Sequence, residues 1–245
     1  MKIGSIIEAR MSSSRLPGKV LMTAANKPFL LHIVERLKRV KKIDKIIVAT
    51  TNNKKDEAII KFCKKNNISF FRGSEDNVMQ RVILAAKKYK LDLITEVTGD
   101  CPIIDYRIID QCLEIFLSNK VDYVTNCHIR SYPDGMDVQV YKLRTLIKSS
   151  KMTKNKLDQE HVTLHIRKNP SIFKTINLMP NRDIYWPELG LTLDEYKDYL
   201  LLKKIIEHFY KKKNKLFSCE DVINFLRFNK KIRNINRIVK RKNNG

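Results

Sequence analysis

The chain is short of the residues that break up regular structure: its 245 residues include only 7 glycines, 7 prolines and a single tryptophan. That scarcity excludes collagen-like, proline-rich and Gly/Ser-linker architectures, whose compositions depend on those residues. Long apolar runs are missing too. None approaches the roughly eighteen residues that a membrane helix needs. The apolar stretch Met1–Ala9, followed by Arg10, reads as a strand rather than a cleavable signal, so a cytoplasmic chain with no membrane insertion is expected. The five cysteines (Cys63, Cys101, Cys112, Cys127, Cys219) form no C-x-x-C pair and are odd in number, which argues against both a zinc cage and a disulfide framework. Negative charge is scarce as well. Against 49 Lys and Arg there are 26 Asp and Glu, a formal net charge of +23.

So basic a chain points first to nucleic acid, because a dense positive field attracts phosphate polymers. The lysines, however, are spread over the whole chain, in Lys54-Lys55, Lys64-Lys65, Lys87-Lys88 and Lys211–Lys213, each on the polar side of an expected helix. That distribution describes solvated helix faces, and no specific nucleic-acid partner is expected. A basic nucleic-acid-binding module stays open as an alternative and predicts steeply salt-dependent binding.

What is present is enough apolar content, 43% of the residues, for one sizeable core. The first half alternates short apolar runs with helical patterns: Ile3–Ala9 then Phe29–Val40, Lys45–Thr50 then Lys54–Asn67, Ile68–Phe71 then Glu75–Tyr89, Leu91–Val97 then Tyr106–Ser118. Repeated strand-then-helix units predict an α/β fold, a mostly parallel sheet with helices on both faces. After Val121–Thr125 the pattern changes. Ser131-Tyr132-Pro133-Asp134-Gly135 is a turn signal and Met136–Tyr141 alternates as a strand, so a small hairpin element is expected there. Leu157–Arg167 reads as helix, Ile172–Leu178 as extended and Glu195–Lys211 as helix. One domain over residues 1–228 follows, with a basic tail over 229–245 that is a frayed helix, a dimer contact or unstructured.

The loop Arg10-Met11-Ser12-Ser13-Ser14-Arg15-Leu16-Pro17-Gly18-Lys19 lies between the first strand and the next element. In open α/β sheets, ligands bind at the carboxyl ends of strands. Small residues let the backbone approach a ligand closely, Pro17-Gly18 sets a turn, and Arg10, Arg15 and Lys19 can neutralise phosphate charge, the arginines as forks and the lysine as a point charge. In a chain with 49 basic residues of 245, three in this loop also arise by chance, so composition leaves the anion site and the coincidence equally open. Neither G-x-x-x-x-G-K-[ST] nor G-x-G-x-x-G occurs. His161 and His165 stand one helical turn apart, but no H-E-x-x-H and no third ligand accompany them, so zinc is not expected. Cys101 has no visible base partner and reads as a packing residue.

The segment Ala9-Arg10-Met11-Ser12-Ser13-Ser14-Arg15-Leu16-Pro17-Gly18-Lys19 resembles the nucleotide-binding signature of the sugar-acid cytidylyltransferases. The branch named for spore-coat polysaccharide biosynthesis, related to the KDO and acylneuraminate enzymes, is the most similar. The likeness continues through Lys27-Pro28, Ile47-Val48-Ala49-Thr50, Phe71-Arg72-Gly73-Ser74-Glu75-Asp76-Asn77-Val78, Thr98-Gly99-Asp100-Cys101-Pro102-Ile103-Ile104-Asp105, Gly135-Met136-Asp137-Val138 and Glu160-His161-Val162-Thr163, over residues 1 to about 200.

The resemblance implies a Rossmann-like nucleotide-diphospho-sugar transferase (GT-A-like) fold and a magnesium-dependent transfer of CMP from CTP to a sugar acid or similar acceptor, in surface glycan synthesis. Arg10, Arg15 and Lys19 would hold phosphates. Asp100 and Asp194 would bind Mg2+, a hard ion that takes one or two carboxylates plus phosphate oxygens. Ala9, Ser14 and Gly99 would line the nucleotide, and Arg72, Gly73 and Ser74 its base or ribose. Residues 126–180 would carry acceptor-binding and homodimer elements, with Asp137, Glu160, His161 and Arg167 at the acceptor. The sequence departs from the pattern at Asp194-Glu195-Tyr196, where D-T-P-E-D is usual, at Gly190, where a basic residue is common, and at Glu8, where the KDO-type enzymes carry proline. A glycosyltransferase of the same fold is the other alternative, although the D-x-D motif it would need is missing around Asp92 and Asp183.

Overall fold

A strand buried on both faces is built mainly from apolar side chains, and in β1 (Ile3–Glu8) Ile6 and Ile7 point to opposite faces and both are fully buried. The computed structural model describes residues 1–241. After β1 come a small hairpin of β2 (Thr23–Ala24) and β3 (Lys27–Pro28), then α1 (Phe29–Leu37), β4 (Lys45–Thr51), α2 (Glu57–Lys65), β5 (Ser69–Gly73), α3 (Val78–Lys88), β6 (Leu93–Thr98), α4 (Tyr106–Ser118) and β7 (Tyr123–Thr125). The second half supplies β8 (Gln139–Lys142), α5 (Leu143–Met152), α6 (Lys156–Glu160), α7 (Leu164–Lys168), β9 (Thr175–Asn177), α8 (Tyr196–Lys211), α9 (Cys219–Phe228) and α10 (Lys230–Arg233).

The main sheet has seven strands in the order β5-β4-β1-β6-β8-β7-β9, and β8 alone runs antiparallel to its neighbours. The expected mostly parallel Rossmann-like sheet with helices on both faces is what forms. On one face, Ile7 packs with Phe29, Ile33, Ile109, Leu202 and Val222, from α1, α4, α8 and α9. On the other, Ile6 packs with Met79, Val82, Leu146 and Ile166, from α3, α5 and α7. The strand order reverses between β1 and β6, so the loops leaving their carboxyl ends diverge and open a crevice there.

Three expectations shift. The strand expected over Met136–Tyr141 starts only at Gln139, because the Asn126 amide captures the preceding backbone: it donates to the Met136 carbonyl (2.7 Å) and accepts the Val138 N–H (2.8 Å). The helix expected over Leu157–Arg167 is two helices, α6 and α7, broken where buried Val162 sits at φ 31°, a region that a β-branched side chain enters only under strain. The tail does not fray at Asn229. It forms α10 and a 3-10 turn at Asn234–Asn236, and Asn236 and Val239 are buried; residues 242–245 of the expected tail lie outside the described residues. No helix among the described residues is long and apolar enough to cross a membrane.

Candidate active site

The crevice at the β1 and β6 ends holds a cavity of about 700 Å³. The loop that forms one wall is anchored from beneath. Buried Asp56 accepts the Met11 N–H (2.7 Å) while also accepting from the Thr50 (2.8 Å) and Thr51 (2.6 Å) hydroxyls, and the Gly18 N–H closes the loop on the Met11 carbonyl (2.9 Å). Glu75 receives the Ser12 hydroxyl and lies 3.7 Å from the Arg10 guanidinium. Gly18 takes the left-handed conformation (φ 72°) that the turn into Lys19 requires, and Lys19 begins a short 3-10 helix.

That turn aims the Lys19 ammonium between two carboxylates distant in sequence, 2.8 Å from Asp100 Oδ2 and 3.1 Å from Asp194 Oδ1. Arg15 Nη2 also reaches Asp194 Oδ1, at 3.0 Å. Asp100 follows β6 and is steadied by the Thr98 hydroxyl (2.6 Å); Asp194 precedes α8. Burial alone would lower the lysine pKa, but the two carboxylates outweigh it and hold the ammonium above its ordinary value. Burial likewise opposes ionisation of Asp100, and Lys19 with the Thr98 hydroxyl overcomes it, so Asp100 stays ionised below the usual carboxylate range. Two carboxylates that converge on one ammonium make an oxygen-donor pair that fits a hard divalent ion. Phosphate oxygens would complete its shell. Among the described residues, no group of three or more His, Cys, Asp or Glu is arranged to hold a metal, so the pair needs ligand oxygens.

Of the residues expected at the site, Ala9, Arg10, Ser14, Arg15, Lys19, Gly99, Asp100, Asp137, Glu160, His161, Arg167 and Asp194 all line the cavity. Arg72, Gly73 and Ser74 do not. Arg72 is a buckle between the end of β4 and α2, donating to the Thr51 and Asn53 carbonyls (3.1 Å each) and pairing with Glu57 (3.1 Å); Gly73 is paired in β5, and Ser74 Oγ accepts the Asn77 N–H (3.0 Å). These bonds tie the three residues into the fold beside the cavity, outside its lining. Cys101 is buried, and its thiol is pushed well up by burial and by the neighbouring Asp100 charge, as suits a packing residue.

The sequence reading missed Arg81, Arg130, Asp134, Glu96 and Arg241, all in the lining. Glu96 carried a legible signal, since an acid inside the apolar strand Leu93–Thr98 must find partners. It accepts from the Gln139 amide (3.0 Å) and the Tyr141 hydroxyl, and lies in hydrogen-bond reach of Glu8. Arg130 pairs with Asp137 (2.8 Å) and Asp134 (3.5 Å). Burial pushes Asp137 up to about 6 despite Arg130. Nε of Arg81 and Arg167 and Oε1 of Glu8 are buried without a partner among the described residues, leaving polar atoms for a ligand to meet.

Burial, only partly offset by Arg81, raises Glu8 from 4.5 to about 7, and burial with the Glu8 charge raises Glu96 as well. The folded state therefore binds a proton more tightly than the unfolded chain. The stability that Glu8 contributes in this way is complete below pH 4.5 and is lost as pH climbs through about 7. Thermal denaturation across that window should show Tm falling with pH, and Glu8→Gln should flatten part of the slope; an unchanged slope in the variant would remove Glu8 as its source.

A family model described as cytidylyltransferase matches residues 5–238. The chain is 38% identical over 99% of its length to an uncharacterized protein of Methanocaldococcus jannaschii, covering 97% of it. It is 31% identical over 82% of its length to the spore coat polysaccharide biosynthesis protein SpsF of Bacillus subtilis, covering 85% of that protein. Among solved structures, a cytidylyltransferase from Leptospira borgpetersenii serovar Hardjo-bovis superposes with a TM-score of 0.89 at 36% identity, covering 95% of this chain and 96% of that one. The glycosyltransferase and nucleic-acid alternatives give way to this match, and the chain is a nucleotidyltransferase that belongs to the cytidylyltransferase family.

Proposed function

We propose that the enzyme transfers CMP from CTP to a hydroxyl of a sugar acid or similar polyhydroxy acceptor, releasing pyrophosphate, in the synthesis of a surface glycan. The observation that carries the reading is the meeting of Lys19, Asp100 and Asp194 at the crevice between β1 and β6. Arg10, Arg15 and Lys19 bind the β- and γ-phosphates and stabilise the charge that gathers on the leaving pyrophosphate. Ala9, Ser14 and Gly99 form the wall beside the nucleotide. Asp100 and Asp194 would hold magnesium, which when bound neutralises triphosphate charge and polarises the α-phosphate. Asp137, Glu160, His161 and Arg167 orient the acceptor hydroxyl for in-line attack, so that catalysis is largely positioning and electrostatics. The unspent Arg167 Nε supports an acceptor with an oxygen-rich, anionic group. The same reading takes the enzyme as a cytoplasmic homodimer joined through residues 126–180, where Ile129 and Met179 are exposed.

A thermal-shift series with CTP, UTP, GTP and ATP, with and without Mg2+, tests the nucleotide half. The largest shift is expected for CTP with Mg2+, and equal shifts for all four nucleotides would sink the base assignment. Pyrophosphate release from CTP in the presence of candidate sugar acids tests the other half.

A further inference from the structure

Past α10 the chain returns to the catalytic cavity. We propose that Arg241 is a positioning residue for the site carboxylate Asp194, which it holds through Asp198, and that the segment from α10 to Arg241 is therefore part of the catalytic apparatus. The inference rests on the nucleotidyl-transfer reading, in which Asp194 is a metal ligand.

Asp198 is fully buried in the first turn of α8. Its Oδ2 accepts the backbone N–H groups of Asp194 (3.1 Å) and Glu195 (2.9 Å), so this one side chain shapes the turn that carries Asp194. A buried carboxylate keeps such geometry only if its charge is compensated, because an unpaired buried charge is strongly destabilising. The C-terminal segment supplies the compensation. Arg241 Nη2 donates to Asp198 Oδ1 (2.7 Å) and Nη1 to Oδ2 (3.3 Å), a bidentate fork that lysine cannot reproduce. The Asn236 amide donates to the same Oδ1 (2.8 Å) and to the Gly190 carbonyl (2.9 Å).

Arg241 Nη1 also donates to the Thr192 hydroxyl (2.8 Å) and lies 3.7 Å from Asp194 Oδ2, on the side of that carboxylate away from the oxygen that Lys19 and Arg15 contact. Asp194 is thus gripped at both oxygens. The seat of the guanidinium is built for it: a Cβ on Gly190 would collide with Nη2, Nε and Cζ of Arg241, so the missing side chain at 190 makes the room.

The test uses the full chain and the variants Arg241→Ala, Arg241→Gln and Arg241→Lys. Mn2+ binding is followed by electron paramagnetic resonance with CTP present, CTP affinity is measured without metal, and Tm is recorded. Loss of an outer partner of a metal ligand costs roughly 10- to 100-fold in metal affinity. A loss of that order is expected for Arg241→Ala and Arg241→Gln and a smaller one for Arg241→Lys, with metal-free CTP affinity within about twofold of the parent and the lost rate recovered at high Mg2+. Arg241→Gln keeps amide donors near Asp198 and so decides the matter if the alanine variant does not fold. Unchanged Mn2+ binding in a folded variant overturns the inference, as does an equal loss of CTP affinity with and without metal. Collapse of all three variants overturns it too, since Arg241 would then hold the fold and not Asp194. If the parent chain itself binds no Mn2+ with CTP, the transfer reading fails and the inference falls with it.

Discussion

Replacing Lys19 by alanine is expected to lower kcat/KM for pyrophosphate release by about two to three orders of magnitude, the usual cost of deleting one preorganised charge or donor that acts on the transition state. The site geometry explains why the effect should be large. The ammonium is most of the way buried and held between Asp100 and Asp194, at 2.8 and 3.1 Å, so it needs little reorganisation to meet a phosphate entering the same space. Its raised pKa keeps it protonated throughout the neutral range. Lys19→Ala also leaves two carboxylates facing each other without their shared cation, so the variant should bind divalent ions more readily in the absence of nucleotide. Steady-state release of pyrophosphate checks the first expectation and metal titration the second. An unchanged kcat/KM would end the role assigned to Lys19.

The second large effect is expected for Asp100→Asn. The amide keeps the size of the carboxylate and an oxygen for the Thr98 hydroxyl but loses the charge that pairs with Lys19. A metal ion at a developing charge contributes several kcal/mol, and each 1.4 kcal/mol or so is tenfold in rate, so a loss of about three orders of magnitude is expected. The two variants separate by their metal dependence. Lys19→Ala should remain metal-dependent with a low ceiling, whereas Asp100→Asn should need far more metal for what activity is left. Activity of Asp100→Asn within tenfold of the parent at ordinary Mg2+ would show that the ion, if used, is held elsewhere.

Much of this site is legible along the chain because its parts are local. The basic loop that lines the cavity is one stretch, Arg10 to Lys19, directly after a strand; Asp100 follows another strand behind Thr98-Gly99. Strand-then-helix periodicity then puts both at the same end of the sheet, since parallel strands align their carboxyl ends. Where the reading went astray, a long-range contact had overruled the local pattern. Asn126 took hydrogen bonds that residues 136–138 would have spent on a strand. Arg72, expected near the base or ribose, lies outside the cavity lining and donates to the Thr51 and Asn53 carbonyls and to Glu57.

Hydrophobic period and turn signals by themselves determined the α/β class, because they act over a few residues, and the resemblance of the ordered motifs pointed to the family. Only the tertiary structure decided that Lys19 faces both Asp100 and Asp194, that Glu8 and Glu96 meet in the cavity, and that Arg241 comes back to Asp198. Each of those is a pairing of charges far apart in sequence, set by the burial that forces a charged side chain to find a partner, and no local pattern encodes which partner it will be.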